Sequence, residues 1–328
     1  MSNDALIHWQ GRVDAEDGDR GLRMHQVVQT FTPETSDPGI CLLGLASDLG
    51  VAHNQGRIGA AEGPTALRQA LASLAWHFNK PLFDAGDIAV IAETNTDSLA
   101  DAQSRYADVV TQALSSKQFV IGLGGGHEIG WASYQGCRRF LDQNQQQSTS
   151  IGILNFDAHF DLRKPAPGAA WAGSSGTPFY QVSQDCRARG QEFHYACMGI
   201  NPSANTRALF DYAENQQVDF LYDTECTIDD SVAVLEGFLA KIDTLYVTLC
   251  LDVLPAGVAP GVSAPAALGI DLGFIINSLN QVKQLCDQHQ VHWMMADIAE
   301  LNPKYDIDQR TAKVAARLVF EIIELNQG

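Results

Sequence analysis

The sequence predicts an α/β protein, a mainly parallel sheet with helices on both faces. Three observations carry this. Short apolar runs ending in Gly, Asp or Asn recur along the chain. Longer amphipathic stretches separate them, so strand and helix alternate. The 328 residues are also enough to bury the core that such a sheet needs.

The apolar runs read as strands over 40–46, 118–123, 150–156, 195–200, 220–222, 245–251 and 292–297. Helical periodicity lies between them, over 63–76, 98–115, 129–142, 205–215, 231–240, 272–288 and 309–325. There is no internal repeat and no long linker. The expectation is one domain over 1–328, with 1–39 as an N-terminal extension packed on it. The Gln-rich run 143–150 reads as a solvated connection. The Gly/Ser/Pro/Ala-rich stretch 165–178 follows a polar cluster at a strand end and reads as a substrate loop.

Hydrophobic residues make up 45% of the chain and charged residues 18%, which describes an ordinary soluble globular protein. The net charge of −18, from 39 acids against 21 bases, argues against nucleic acid or an anionic membrane as the main partner. It suits an enzyme that collects cations and takes a small-molecule substrate. The seven cysteines are scattered without a C-x-x-C pair, the pattern of reduced intracellular thiols. The first residues lack a basic, then apolar, leader, and no apolar run approaches the ~20 residues of a membrane span. A cytoplasmic protein is expected.

Four polar segments begin where predicted strands end, the edge at which open α/β sheets bind ligands. The first is Gly122-Leu-Gly-Gly-Gly-His127-Glu128. It lacks the Lys-Ser/Thr ending of a phosphate loop, which leaves a tight turn that presents His127. In the second, Asp157-Ala-His159-Phe-Asp161, a spacing of two puts three metal-capable groups on one side. A plain turn would need no His between the two acids, so a cation is the better explanation. The third, Thr248-Leu-Cys250-Leu-Asp252, sets Thr248, Cys250 and Asp252 on one face and leucines on the other. An Asp inside an apolar strand is costly unless it is paired or ligates metal. In the fourth, Asp297-Ile-Ala-Glu300, Asp297 can orient a neighbour and Glu300 can meet a cationic substrate group.

In this order, the segments resemble the motifs of the ureohydrolase family of arginases and agmatinases. The family's Asp-Ala-His-x-Asp stands intact at 157–161, and its Gly-Gly-Asp-His-Ser looks like 124–128. Its Ser-x-Asp-x-Asp looks like 248–252, and its early Gly-Pro helix start looks like Gly63-Pro64. The resemblance implies a three-layer arginase-like fold and a centre of two Mn2+ ions. One ion would take His127, Asp157, Asp161 and Cys250, and the other Asp157, His159, Asp252 and Cys250. It further implies water activated by the ions, Asp161 and Glu300 as catalytic groups, Glu300 also binding the amidine, and a homo-oligomer. Cys250 replaces a bridging aspartate. One soft sulfur cannot offer two oxygens, so weaker occupancy of the second site is expected. Ser175 stands where arginases place a proton-moving His.

The Gly-Gly-Gly-His-Glu segment, Ser174-Ser-Gly-Thr-Pro-Phe179 and the run 253–265 resemble the formimidoylglutamase branch most. That likeness implies hydrolysis of N-formimidoyl-L-glutamate to L-glutamate and formamide, a step of histidine degradation. Two substrate carboxylates call for a cation beside the metals. Arg163 is the first candidate and Arg57 the second. The competing readings are another ureohydrolase activity, such as agmatinase or guanidinobutyrase, and a catalytically silent metal-binding homologue.

Overall fold

A computed structural model describes residues 6–90, 98–165 and 173–327. Within them, nine strands form one sheet. They are β1 (Gln29–Thr30), β2 (Ile40–Ala46), β3 (Leu82–Ala89), β4 (Phe119–Gly124), β5 (Ile151–Phe156), β6 (His194–Ile200), β7 (Asp219–Tyr222), β8 (Thr244–Cys250) and β9 (His292–Ala299). Their order is β1-β3-β2-β4-β9-β8-β5-β6-β7 and every neighbouring pair is parallel. The helices are α1 (Met24–Val27), α2 (Leu49–His53), α3 (Gly63–Ala72), α4 (Leu99–Ser115), α5 (Ile129–Gln143), α6 (Pro178–Arg189), α7 (Arg207–Asn215), α8 (Ile228–Leu239), α9 (Leu272–His289) and α10 (Arg310–Leu325).

Strand alternation divides the core in two. Leu42, Leu123, Leu154 and Val247 point to the layer that holds α3, α8, α9 and α10. Leu43, Val120, Ile153 and Tyr246 point to the layer that holds α4, α5 and α6. This is the expected three-layer α/β architecture. Helix starts follow local chemistry. The Ser98 hydroxyl accepts the Asp101 N–H, and the Asp101 carboxylate accepts the Ser98 N–H in return, so α4 begins with a capping box. Thr227 caps α8 and Asp271 caps α9.

Two strands and one long helix add to the predicted set. β3 carries Asp84, Gly86 and Asp87 and so lacks the unbroken apolar run that marks the expected strands. Its carboxylates in fact meet the buried Arg68 of α3, at 2.7 and 2.9 Å to Asp84 and 2.5 Å to Asp87. Trp9 donates its indole N–H to the same Asp84, 2.7 Å away, and so draws the N-terminal residues onto the sheet edge. β1 is only two residues long. Helix α6 has few apolar positions, although Pro178 at its start and Gly190 (φ 67°) after its end are the usual boundary residues. No helix among the described residues is long and apolar enough to cross a membrane.

The strand order is what builds the site. β4, β9, β8 and β5 are consecutive in the middle of the sheet. All four polar segments therefore leave neighbouring strands at their carboxyl ends.

Candidate metal centre

His127 follows β4 through a glycine turn. Its ring is fully buried, and its Nδ1 lies 2.9 Å from both Asp157 Oδ2 and Asp161 Oδ2. Neither oxygen is aligned for a hydrogen bond with that nitrogen. A ring nitrogen has one in-plane direction, and here it points between two acids. His159 Nδ1 lies 3.3 Å from Asp252 Oδ2 and 3.5 Å from Asp157 Oδ1. Donor atoms gather in two sets that share Asp157, namely His127, Asp157 and Cys250, and Asp157, His159 and Asp252. Cys250 ends β8 with its side chain buried. Asp252 lies two residues beyond the strand, in a 3-10 turn over Leu251–Val253, rather than inside it.

The surroundings test whether a cation fits. Buried oxygens of Asp252 and Glu300 have no hydrogen-bond partner. Burial raises the Asp161 carboxyl to about 6, helped by the charge of Asp157. Burial likewise raises Glu300 to about 8, with the charges of Asp252 and Glu128 adding to it. The Cys250 thiol is pushed well above its ordinary value, first by burial and then by Asp157 and Asp252. Burial also works to raise Asp157, but the adjacent His127 and His159 imidazoles outweigh this and hold it below the usual carboxylate range. Crowded anions with spare lone pairs and two imidazoles form a cradle for divalent metal, and its oxygen and nitrogen donors match a hard ion such as Mn2+.

The acids are held by neighbours. Asn155 donates to Asp157 Oδ2 (3.0 Å) and the His159 backbone N–H donates to Asp157 Oδ1 (2.8 Å). The His127 N–H donates to Glu300 Oε1 at 3.0 Å. Asp161 (φ 48°) and Glu300 (φ 71°) both sit in the left-handed region, strain of a kind that collects at functional sites.

A cleft of about 320 Å³ opens over this cluster, a size for a small molecule. Of the metal-binding, catalytic and substrate-binding residues expected from sequence, all but Asp157 line it; Asp157 is fully buried, as are Thr248 and Asp297 behind the cluster. Arg163 reaches the cleft as an exposed side chain, and Gly176 makes room for it. A Cβ on Gly176 would lie 2.9 Å from Arg163 Cδ and 3.1 Å from the Asn54 amide. Arg57 also lines the cleft, but its guanidinium donates to the carbonyls of Ser263 (3.0 Å) and Val262 (2.5 Å) and stacks 4.2 Å over Tyr305. Two of its five N–H donors are thereby engaged in holding that loop. Ser175 is buried and bonds by its N–H to the Gly50 carbonyl. Much of the stretch read as a substrate loop, 166–172, lies outside the described residues.

Three residues that the sequence did not single out belong here. Asn54 and Ser263 also line the cleft, Ser263 from the run 253–265, whose likeness to the family picks out no single residue. Glu128 is fully buried beside His127 and accepts from the Ser47 hydroxyl (3.1 Å) and the Gly50 N–H (3.0 Å). It thereby pins the segment that leads to Asn54 and Arg57. Its carboxylate also explains Gly126, whose Cβ would lie 2.0 Å from Glu128 Oε2.

A parallel α/β sheet with acids and imidazoles converging at its central carboxyl edge defines a metallohydrolase-type site. The chain belongs to the arginase family, whose model matches residues 38–324. Among curated relatives, the formimidoylglutamase of Hahella chejuensis is 46% identical over 320 residues, 97% of this chain and 94% of that protein. The one of Vibrio vulnificus strain CMCP6 is 46% identical over 324 residues, 96% of this chain and 94% of that protein. Among solved structures, Trypanosoma cruzi formiminoglutamase with Mn2+ superposes with a TM-score of 0.77 at 24% identity, covering 93% of this chain and 98% of that one. The formimidoylglutamase of Bacillus subtilis gives 0.78 at 21% identity, with coverage of 94% and 93%. These two likenesses establish the shared fold.

Proposed function

We propose that this protein hydrolyses N-formimidoyl-L-glutamate to L-glutamate and formamide, at a centre that takes two Mn2+ ions. The observation that carries the reading is the pair of donor sets sharing Asp157 beneath a small cleft that holds both Glu300 and Arg163. The names of relatives about 46% identical over nearly the whole chain support the choice of substrate.

His127, Asp157, Asp161 and Cys250 would hold one ion, and Asp157, His159, Cys250 and Asp252 the other. Such ions supply Lewis-acid polarisation and acidify a water molecule. The remaining work falls to the chain. Glu300 has a carboxylate oxygen to spare and accepts an N–H of the cationic amidine, which orients its carbon toward the cluster. Arg163 pairs with a substrate carboxylate through its planar fork. The second carboxylate then falls to neutral donors. Ser263 Oγ already accepts the Arg57 N–H at 2.9 Å, which leaves its proton to donate, and the Asn54 amide lines the same cleft. Asp161 takes the proton of the attacking water at its carboxylate and returns it to the departing amine of glutamate. Ser175 can donate a hydrogen bond but does not titrate near neutral pH, so it does not replace a proton-carrying His.

The test is a substrate panel on Mn2+-reconstituted protein, scoring formamide and urea separately. Formamide from N-formimidoyl-L-glutamate is expected, with no urea from arginine, agmatine or 4-guanidinobutyrate. Urea from one of these would move the chain to another branch of the family. Neither product from metal-loaded protein would mark a silent homologue.

A further inference from the structure

Asp297 is fully buried, and three hydroxyls converge on it. Thr248 lies 2.6 Å from Oδ1, while Ser133 (2.6 Å) and Tyr246 (2.5 Å) lie on Oδ2. Separations of this kind belong to O–H···O⁻ bonds, and an ionised carboxylate only accepts. The single proton of Thr248 is therefore committed to Asp297. Its oxygen stands 3.0 Å from His127 Nε2 and can only accept from it. The imidazole proton consequently resides on Nε2, and the opposite ring nitrogen, Nδ1, faces Asp157 and Asp161 without an aligned partner.

We propose that Asp297 and Thr248 are positioning residues that hold His127 as its Nε2–H tautomer, so that Nδ1 is offered as a metal ligand. The inference depends on the reading of His127 as a ligand given above. The scaffold suits the task. Thr248 and Asp297 are direct partners across β8 and β9, and Gly122 of β4 is the partner of Asp297 on its other side. A Cβ on Gly122 would lie 2.7 Å from that of Asp297, so three central strands close tightly around the relay. Phe179 packs edge-on against the imidazole, with ring centroids 5.4 Å apart, and limits its rotation. Hydrogen bonds behind metal-binding histidines fix tautomer and ring orientation in the same manner elsewhere, and their loss costs metal affinity about ten- to hundredfold.

Two measurements test this in the full chain. Equilibrium dialysis against Mn2+ compares wild type with Thr248→Val, which keeps the shape but removes the acceptor, and with Thr248→Ser, which restores it. The expected result is about a tenfold or greater loss of affinity at one site for Val and near-wild-type binding for Ser. Nitrogen NMR of 15N-histidine-labelled wild type, loaded with diamagnetic Zn2+, reads the tautomer directly and does not depend on either variant folding. A protonated Nε2 and a metal-shifted Nδ1 at His127 are expected. Unchanged Mn2+ affinity in Thr248→Val, or a proton on Nδ1, would overturn the proposal. A wild type that retains no divalent ion would instead refute the metal reading itself, so the two failures are distinguishable.

Discussion

On the proposed reading Arg163 meets a substrate carboxylate in the cleft, and Arg163→Ala tests that role. A charged hydrogen bond contributes about 1.5–3 kcal/mol. Arg163 is exposed, so solvent screening places its contribution near the lower end, about 1.5 kcal/mol. At 1.4 kcal/mol per factor of ten, KM for N-formimidoyl-L-glutamate should rise about tenfold. The value of kcat and the metal content should hold, because the guanidinium is not among the clustered donor atoms. Arg163→Lys should recover only part of the loss, since an ammonium keeps the charge but lacks the planar fork. The assay is formamide release across substrate concentration, with metal measured on the same samples. A KM within twofold of wild type for Arg163→Ala would refute the assignment. The carboxylate would then have to be met by Arg57, whose guanidinium is already engaged by the carbonyls of Val262 and Ser263.

Three further outcomes are expected. Cys250→Asp should raise the Mn2+ retained per chain at a given free Mn2+, because a carboxylate offers two hard oxygens where a thiol offers one soft sulfur. Elemental analysis after dialysis reads this, and equal retention by the two proteins would remove Cys250 as the weak ligand. Asp84→Ala removes two charged hydrogen bonds from the fully buried Arg68, which keeps Asp87, and frees the Trp9 indole, so urea denaturation should show a loss of about 3 kcal/mol. A loss below ~1 kcal/mol would mean that water reaches Arg68 after the change. Glu128→Ala leaves the Ser47 hydroxyl and the Gly50 N–H without their acceptor and should cost about 1–3 kcal/mol in the same measurement. Glu128→Gln keeps an acceptor oxygen and should lose less, an ordering that a shared packing defect would not produce.

The fold class and most of the candidate site were legible in the sequence, for a local reason. A buried parallel strand is a short apolar run, and a polar residue directly after one stands at the ligand-binding edge. His127, Asp157, His159, Asp161, Cys250 and Glu300 all announce themselves in this way. Asn54 and Ser263 do not, because they reach the cleft from loops whose course depends on distant contacts, such as the Arg57 N–H on the Ser263 hydroxyl. Glu128 reads as the tail of a motif, and its bond to Gly50, 78 residues away, is visible only in three dimensions. β3 was hidden because its acids are paired with an arginine on another element. α6 was hidden because it has too few apolar residues to show a face. The adjacency of β4, β9, β8 and β5 was not legible either, since strand order is a long-range property that no local period encodes.

That adjacency also explains why so much charge can be concentrated at one point. Each of the four strands is covered on both faces by the helical layers, so the carboxyl edge is rigid while its loops remain free to differ. Crowding the buried Asp157, Asp252 and Glu300 against the half-buried Asp161 works against folding, and the left-handed backbone at Asp161 and Glu300 adds about 1–3 kcal/mol each. The rest of the molecule must offset this cost. Arg68 ties α3 to β3, and Asn155, Thr248 and Asp297 hold the ligand-bearing residues from behind with bonds that do not involve any ion. On the proposed reading, a cation held between His127 Nδ1 and the two carboxylates would relieve their mutual repulsion, so metal binding and stability would be linked.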